Sequence, residues 1–289
     1  MVKNIEKYIN EIESLKSELA SLRGVAPEFL KRLENKIRLE FNYNSNHIEG
    51  NTLTYGETQM LLMFGNTSGG HNLRDYNEMK AHDVALKMVK EWAKDDSFIL
   101  REIDVKNLNK IILVEPFYKD AITSTGQDTR KKIEIGNYKN LPNSVRTPSG
   151  EIFEFASVSD TPIFMKELIG WLNESLSKKD IHPILLAALF HYKFIRIHPF
   201  DDGNGRIVRL IMNYILLRFG YPMLIIKTED RSGYLRSLNN VDIKNGNIAK
   251  IVGNLDISNI EILVEYLAEN LKRSFELYIK ASKGYDIEE

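Results

Sequence analysis

Apolar residues at the amino end of the chain recur at spacings of three and four. The first set predicts an amphipathic helix and comprises Ile5, Tyr8, Ile12, Leu15, Leu19 and Leu22. Gly24 and Pro27 interrupt this pattern, and a second apolar face then runs from Leu30 to about Ile48, just ahead of Gly50. We therefore expect the chain to open with a helical hairpin.

Start signals and apolar spacing predict further helices along the chain. Thr54 and Glu57 form a capping-box pattern for a helix over residues 55–64, and apolar positions predict another over 76–92. Capping residues or helix-entry glycines predict the remaining helices, which start at Asp104, Asp160, His182, Gly203 and Ser258.

The helical period disappears between residues 115 and 160. Residues 143–147 and 151–156 are rich in strand formers and flank the turn-forming Pro148-Ser149-Gly150. This is the one β-hairpin that the sequence predicts. Because the chain shows no internal repeat or polar linker, we expect an all-α helical bundle from which a single hairpin protrudes.

Composition narrows the class of protein. The chain has 289 residues, and its 39 basic and 40 acidic side chains leave a net charge of 39 − 40 = −1. This balance argues against a general nucleic-acid binder, because such proteins carry an excess of basic residues. The absence of cysteine excludes disulfides, thiolate metal sites and thiol nucleophiles.

The chain shows no sign of a membrane or export segment. Its first ten residues place charges among the apolar positions, unlike a secretory signal. The most apolar stretch, residues 181–200, contains three histidines, a lysine and an arginine, which disfavours a lipid-facing span. The sequence therefore predicts a cytoplasmic protein with a buried helix at this position.

Residues 198–209, HPFDDGNGRIVR, concentrate polar chemistry at a helix start. Gly203 and Gly205 allow backbone N–H groups to approach an anion, and the helix dipole favours negative charge there. Arg206 and Arg209 lie three residues apart on one helix face, where each could grip a separate phosphate. The pattern predicts a polyphosphate site.

Two further residues of this segment suit phosphate chemistry. Asp202 offers a hard oxygen ligand of the kind that Mg²⁺ prefers, and His198 could accept a proton near neutral pH. A calcium loop fails because its first and last ligands would be Phe200 and Ile211, and the Gly-Lys-Ser/Thr of a Walker loop is absent. A zinc site formed by His182, His191 and His198 is a weaker alternative.

The same segment resembles the HxFx(D/E)GNGRxxR signature of Fic-domain proteins, with every fixed position filled. The resemblance extends over residues 42–238. It implies an all-α Fic fold and the transfer of AMP from ATP to a Tyr, Thr or Ser hydroxyl of a target protein, with release of pyrophosphate. The kinase-like Doc branch resembles this pattern but carries lysine at the position of Gly203, so AMP transfer is favoured.

Residues 45–50, SNHIEG, are similar to the inhibitory motif (S/T)xxxE(G/N) of the family. The resemblance implies an N-terminal inhibitory helix over about residues 28–49. Spacing alone places Ser45 and Glu49 one turn apart on one face, as in many solvated helices. The resemblance further implies that Glu49 restrains Arg209 and holds activity low.

The remaining assignments also rest on the resemblance. It implies three regions: an N-terminal helical region over 1–70, a Fic core over 71–240 and a C-terminal helical extension over 241–289. The hairpin at 143–156 is similar to the family's flap, with Ser144, Val145 and Arg146 on its first strand. The residues expected to bind ATP are Asp202, Gly203, Asn204, Gly205, Arg206, Arg209 and, near the adenine, Tyr234.

In the mechanism that the resemblance implies, His198 is the base, Asp202 holds Mg²⁺ and Asn204 contacts the α-phosphate. The expected partners are ATP and a target protein clamped by the flap; self-modification and a homodimer are also consistent with the family. Three alternatives remain open from the sequence: removal of AMP at the same site, a bifunctional enzyme, and a regulatory module that binds nucleotide without reacting. Nucleic acid and membranes are not expected partners.

Overall fold

A computed structural model describes residues 3–22, 27–67, 69–122, 127–146, 152–245 and 255–285. Within these ranges helices predominate, and the predicted all-α class is confirmed. The helices are α1 (Lys3–Ser21), α2 (Pro27–His47), α3 (Tyr55–Gln59), α4 (Leu73–Lys94), α5 (Glu102–Leu113), α6 (Thr161–Lys178), α7 (Pro183–Ile197), α8 (Asn204–Arg218), α9 (Arg231–Asn245) and α10 (Glu261–Ser282).

Helices α7 and α8 pack against each other at the centre of the bundle. Helix α7 is buried along nearly its whole length, as its continuous apolar sequence predicts. Helices α6 and α10 pack against α7, while α4, α5 and α2 pack against α8. This arrangement surrounds the loop between α7 and α8, residues 198–203, with side chains from other elements.

The predicted N-terminal helical hairpin is wrong. Helix α1 packs along the C-terminal helix α10, and α2 packs instead against α4. On the apolar face of α1, Ile5 and Ile12 are fully buried, while Tyr8, Leu15 and Leu19 are partly buried. Because the two terminal helices cover each other within one chain, their apolar faces give no support to the expected homodimer.

One hydrophobic core joins the three predicted regions. It contains Ile12 and Phe41 from the first, Phe190 from the second and Phe275 from the third. The boundaries at residues 70 and 240 stay a prediction. Among the described helices, none combines the length and apolar character needed to cross a membrane.

Two antiparallel hairpins interrupt the helices where the sequence predicted one. The predicted flap is present as β3 (Ser144–Arg146) paired with β4 (Ile152–Glu154), with Val145 opposite Phe153. Its turn, at Pro148-Ser149-Gly150, and the side chains of 144–154 lie outside the described part of the chain.

The second hairpin joins β1 (Phe117–Ile122) to β2 (Asp128–Ile133). Most residues of β2 are exposed on both faces, so its sequence lacks the alternation that marks a half-buried strand. This property explains why the polar pattern of the segment did not predict it.

Some predicted helix starts are corrected. The capping box of Thr54 and Glu57 is confirmed, although the helix continues through residues 60–64 as a π-turn. Helix α5 starts three residues earlier than predicted, at 102 instead of 105. Asp104, the predicted cap, is its third residue and accepts the N–H of Arg101. Helix α10 follows a 3₁₀ turn that Asp256 caps, so Ser258 is not its cap.

Candidate active site

The loop between α7 and α8 is shaped by two residues with positive φ. His198 ends α7 with φ +50°, and its N–H donates to the Phe194 carbonyl at 2.9 Å. Gly203 precedes α8 with φ +83°, where a β-carbon would lie 3.0 Å from Cδ1 of Ile112. Both the left-handed backbone and the tight packing therefore require glycine at 203.

Asn204 closes this loop. Its Oδ1 accepts the Phe200 N–H at 3.0 Å and its Nδ2 donates to the Phe200 carbonyl at 2.8 Å. Fully buried Asn109 adds a second anchor, because its Nδ2 donates to the Asp202 carbonyl and its Oδ1 accepts the N–H of Gly136. These bonds fix the loop from α5 and from the segment that follows β2.

His198 is partly exposed and lies beside the base of the flap. Its ring stacks on Phe155, with centroids 4.0 Å apart and planes at 17°. Burial and the positive charge of Lys139 lower the pKa of His198 to about 4. Lys139 itself donates to the Ile197 carbonyl at 3.1 Å, and burial together with Lys131 lowers its pKa to about 8. The imidazole is therefore neutral at physiological pH.

Arg206 is buried between two carboxylates. Its Nη1 pairs with Glu78 of α4, and its Nη2 lies 3.6 Å from Oδ1 of Asp202. Glu78 also pairs with Arg74 one turn earlier in α4. This chain of opposite charges holds the Arg206 guanidinium at the entrance of α8 in a fixed orientation.

Arg209 connects α8 to the end of α2. Its Nε donates to Oγ of Ser45 at 3.1 Å, and its Nη2 donates to the Ser45 carbonyl at 2.7 Å and to Oε1 of Glu49 at 2.8 Å. The arginine side chain is 2% exposed and that of Glu49 is 33% exposed. Burial opposes ionisation of Glu49, but the charges of Arg209 and Arg206 lower its pKa below the ordinary value.

The Glu49 carboxylate lies directly over the first turn of α8. A β-carbon on Gly205 would overlap Oε1 of Glu49 and would come within 3.0 Å of Nη1 of Arg209. The amino end of a helix is where backbone N–H groups and the helix dipole favour an anion. In this structure an internal carboxylate of the chain occupies that position.

The two aspartates of the loop face the unpredicted β1–β2 hairpin. Nζ of Lys119 lies 3.1 Å from Oδ2 of Asp202, and Nζ of Lys131 lies 2.6 Å from Oδ1 of Asp201. The Gly203 N–H donates to Oδ1 of Asp202 at 2.6 Å. Burial opposes ionisation of Asp202, but Arg206 and Lys119 hold its pKa below the ordinary value.

Tyr234 is near the site but faces the core. It is 3% exposed, its hydroxyl lies 2.7 Å from Nε2 of His191, and burial raises its pKa to about 12. In this arrangement its ring does not present an open face to a base. Nε of Arg231, three residues earlier in α9, donates to the Ile48 carbonyl at 3.0 Å and so contacts the SNHIEG segment.

The histidines weighed as zinc ligands have separate surroundings. His182 contacts Glu13, His191 contacts Tyr234, and His198 stacks on Phe155. Within the described ranges, no three His, Asp or Glu side chains are grouped to hold a metal ion. The structure therefore gives no support to the zinc alternative.

The structure brings most of the predicted residues together. His198, Asp202, Gly203, Gly205, Arg206 and Arg209 surround one helix entrance, with Ser45 and Glu49 above it. The sequence analysis missed a set of residues that support this cluster: Glu78, Asn109, Lys119, Lys131 and Lys139.

Comparisons with known proteins agree with this geometry. The Fic/DOC family profile matches residues 99–216. The chain is similar to a Fic domain-containing signaling protein from Bacteroides thetaiotaomicron, with 48% identity over 96% of this chain and 98% of that one, and a TM-score of 0.87. A solved structure of Fic-1 from Caenorhabditis elegans is 26% identical over 97% of this chain and 73% of that chain, with a TM-score of 0.74.

The curated relatives are named after an enzymatic activity. Protein adenylyltransferase fic-1 from C. elegans is 29% identical over 280 residues, which are 96% of this chain and 48% of that protein. The chain thus spans about half the length of the curated relatives it matches. The near-complete likeness to the Bacteroides protein confirms the predicted fold and resemblance, and the chain belongs to the Fic/DOC family.

Proposed function

We propose that this chain is a protein adenylyltransferase that moves AMP from ATP to a Tyr, Thr or Ser hydroxyl of a target protein and is restrained by Glu49. The observation that carries the proposal is the position of the Glu49 carboxylate, over Gly205 and paired with Arg209. A carboxylate and a phosphate compete for the same helix entrance and the same guanidinium. The name of the curated relatives gives the reaction class.

In the proposed complex the triphosphate lies over the first turn of α8. Gly203 and Gly205 admit it to the backbone N–H groups, and Arg206 and Arg209 pair with its outer phosphates. Asn204 closes the loop through Phe200, using Oδ1 and one N–H of Nδ2. An amide nitrogen has a second N–H donor, so we keep the predicted contact of Asn204 with the α-phosphate in the proposal.

His198 serves as the base in this proposal. The target hydroxyl oxygen forms a bond to the α-phosphorus, its proton passes to a ring nitrogen of His198, and the bond from the α-phosphorus to the pyrophosphate oxygen breaks. The low pKa of the resting ring keeps it neutral and able to accept a proton. The negative charge of a bound nucleotide offsets the Lys139 charge and raises that pKa toward the working pH.

The residues present fit a magnesium ion at Asp202. Oδ1 of this carboxylate is held by the Gly203 N–H, while Oδ2 faces the exposed Lys119 ammonium, a cation that can exchange. Mg²⁺ commonly uses one or two carboxylates and completes its shell with phosphate oxygens and water. We assign Asp202 as the ligand; the bound ion would neutralise phosphate charge. Asp201 is paired with Lys131 and is not assigned to the metal.

We assign the flap to binding of the target protein. Its two strands pair over three residues each, and an extended target segment could add to an edge of such a short hairpin through backbone hydrogen bonds. Phe155, which directly follows β4, stacks on His198, so the flap ends beside the proposed base. This proximity would bring a clamped hydroxyl to the reacting atoms.

Glu49→Gly tests the proposal. With ATP and Mg²⁺, the variant should incorporate AMP into itself or into a lysate protein, seen by intact mass and by pyrophosphate release, while wild type reacts slowly. Glu40→Gly is the control, since Glu40 lies on α2, the helix that ends two residues before Glu49, and pairs with Lys227. Equal rates in wild type, Glu49→Gly and Glu40→Gly would contradict the restraint. ATP binding without pyrophosphate release would instead identify a nucleotide-sensing module.

One observation also favours removal of AMP at this site. The lowered pKa keeps Glu49 ionised, and it lies at the mouth of the proposed phosphate site, where it could orient a water molecule toward a modified target. Incubating an AMP-modified target with wild type and with Glu49→Gln would separate the two directions. Release of AMP by wild type but not by the variant would show that this site also removes AMP by hydrolysis.

A further inference from the structure

Two lysines of the β1–β2 hairpin reach the two aspartates of the α7–α8 loop. Lys119 and Lys131 are direct cross-strand partners, so their side chains leave the same face of the hairpin. Like charges directly opposite each other weaken a strand pair unless anions compensate them. Here Asp202 receives Lys119 at 3.1 Å and Asp201 receives Lys131 at 2.6 Å. The aspartates therefore hold the hairpin against the loop.

The two ion pairs differ in burial and in the further hydrogen bonds that hold each lysine. Lys131 is 21% exposed and Asp201 is 3% exposed, and the same ammonium also donates to Oδ1 of Asn143 at 3.1 Å. Asn143 in turn donates to the Phe200 carbonyl at 2.9 Å. Lys131 thus connects β2 to the α7–α8 loop and to Asn143, the residue before β3.

Lys119, by contrast, is less firmly held. Its side chain is 62% exposed, while that of Asp202 is 16% exposed. An exposed lysine on a four-carbon stem loses little when it leaves a single carboxylate partner. We expect the hairpin to stay in place when it does so, because the contacts of Lys131 with Asp201 and Asn143 do not involve Lys119.

We infer that the Lys119 ammonium occupies the cation position of Asp202 and must be displaced by the divalent cation that enters with the nucleotide. This inference rests on the proposed assignment of the metal to Asp202. Oδ1 accepts the Gly203 N–H at 2.6 Å and faces Arg206, so the oxygen that a cation would take is Oδ2, the atom that Lys119 contacts. Two cations cannot share that oxygen without strong repulsion.

Lys119 is therefore a positioning residue that sets how much divalent cation the site requires. In the absence of a cation it neutralises Asp202, which would otherwise repel the phosphates. When the cation binds, the displaced ammonium remains tethered to β1 close to the loop. The resting site is in this way already charge-balanced, and nucleotide without metal is not repelled by a bare carboxylate.

The test measures cation binding without any reaction. Mn²⁺ serves as the probe, its free concentration is read from its electron paramagnetic resonance signal, and a non-hydrolysable ATP analogue is present at saturation. All proteins carry Glu49→Gly so that the nucleotide can bind. Removing an ion pair of this exposure should lower the apparent Kd for Mn²⁺ by about two- to fivefold in Lys119→Met.

Matched variants decide the outcome. Lys119→Arg should retain the parent Kd, and Lys132→Met should leave it unchanged, since Lys132 neighbours β1 but pairs with Glu134. In a protein that already carries Asp202→Asn, adding Lys119→Met should not change the Kd for Mn²⁺ any further. An unchanged or weaker Kd in Lys119→Met, or the same gain in Lys132→Met, would overturn the inference. A protein that binds Mn²⁺ as expected but transfers no AMP would overturn only the proposed function.

Discussion

Arg209 donates from a single nitrogen, Nη2, both to the Ser45 backbone carbonyl at 2.7 Å and to the Glu49 carboxylate at 2.8 Å. Its Nε donates to the Ser45 hydroxyl, so one guanidinium contacts both Ser45 and Glu49 of the SNHIEG segment. Arg209 is anchored to the end of α2 through the backbone as well as through the carboxylate. Removing Glu49 therefore leaves the arginine oriented by Ser45, rather than loose.

This relationship predicts a non-additive pair of substitutions. Glu49→Gly should tighten binding of a non-hydrolysable ATP analogue by at least about tenfold, which corresponds to about 1.4 kcal/mol. Arg209→Ala should weaken binding, and Glu49→Gly should give no gain in that background, because the arginine freed by the first change is the group that binds phosphate. Isothermal titration calorimetry of wild type, both single variants and the double variant measures the coupling.

One outcome would contradict the predicted coupling between Glu49 and Arg209. If Glu49→Gly gives the same gain with and without Arg209, the carboxylate acts on the nucleotide by repulsion alone. Ser45→Ala provides a control for anchoring, because it removes the hydroxyl contact at 3.1 Å but keeps the carbonyl contact. It should change affinity by less than Arg209→Ala does.

The reacting loop could be predicted from sequence because its chemistry is contiguous. Residues 198–209 form the loop and the first turns of α8 without a break, so spacing alone places His198, Gly205 and Arg209 at one helix entrance. Ser45 and Glu49 are distant in sequence, and only the family resemblance joined them to Arg209. The structure then supports that link with three hydrogen bonds.

The supporting residues could not be predicted because tertiary packing creates them. Glu78 pairs with Arg74 one turn away, which in sequence is typical of a solvated helix face, yet packing against α8 buries it beside Arg206. Lys119 meets a carboxylate 83 residues away, on a hairpin without strand alternation. In the same way, the apolar face of α1 did not indicate whether α2 or α10 would cover it.

The pKa of His198 should depend on nucleotide. In the resting protein its pKa is about 4, so the ring is neutral at pH 7 and becomes charged only as the pH falls through that value. Bound phosphates favour the charged form and should raise the pKa. Nuclear magnetic resonance titration of the ring in Glu49→Gly, with and without a non-hydrolysable analogue, measures both values. A pKa that does not change with nucleotide would place the phosphates away from His198.

Gly203→Ala should destabilise the protein by about 1 to 3 kcal/mol, since an alanine must adopt the left-handed backbone there. Its β-carbon would also meet Ile112 at 3.0 Å. Gly56→Ala is the control: it lies in helix α3, has no atom within 4 Å of a β-carbon, and should be neutral or stabilising by up to about 1 kcal/mol. Urea unfolding followed by circular dichroism compares the two. Equal stabilities would mean that the loop adapts to a side chain at 203.

The flap should affect target labelling more than nucleotide binding. Val145→Pro removes a backbone N–H and fixes φ within β3, so strand addition by a target should weaken. Val145→Ala keeps the N–H and controls for loss of the side chain. In the Glu49→Gly background, labelling of a protein substrate should fall at least about tenfold for proline and little for alanine. If analogue affinity falls as much as labelling, the flap contacts the nucleotide instead.

Glu78 should act on turnover through the orientation of Arg206. The buried guanidinium pairs with Glu78 and lies 3.6 Å from Asp202, so neutralising Glu78 removes its closer anion while leaving its positive charge for phosphate. In the Glu49→Gly background, Glu78→Gln should hold analogue affinity within about threefold, because attraction is retained. AMP transfer should fall at least about tenfold, because the phosphates are no longer aligned for displacement. Glu91→Gln, on the exposed face of α4 beside Lys94, is the matched control and should change neither quantity. A parallel loss of affinity and turnover would show instead that Glu78 only supports the fold around Arg206.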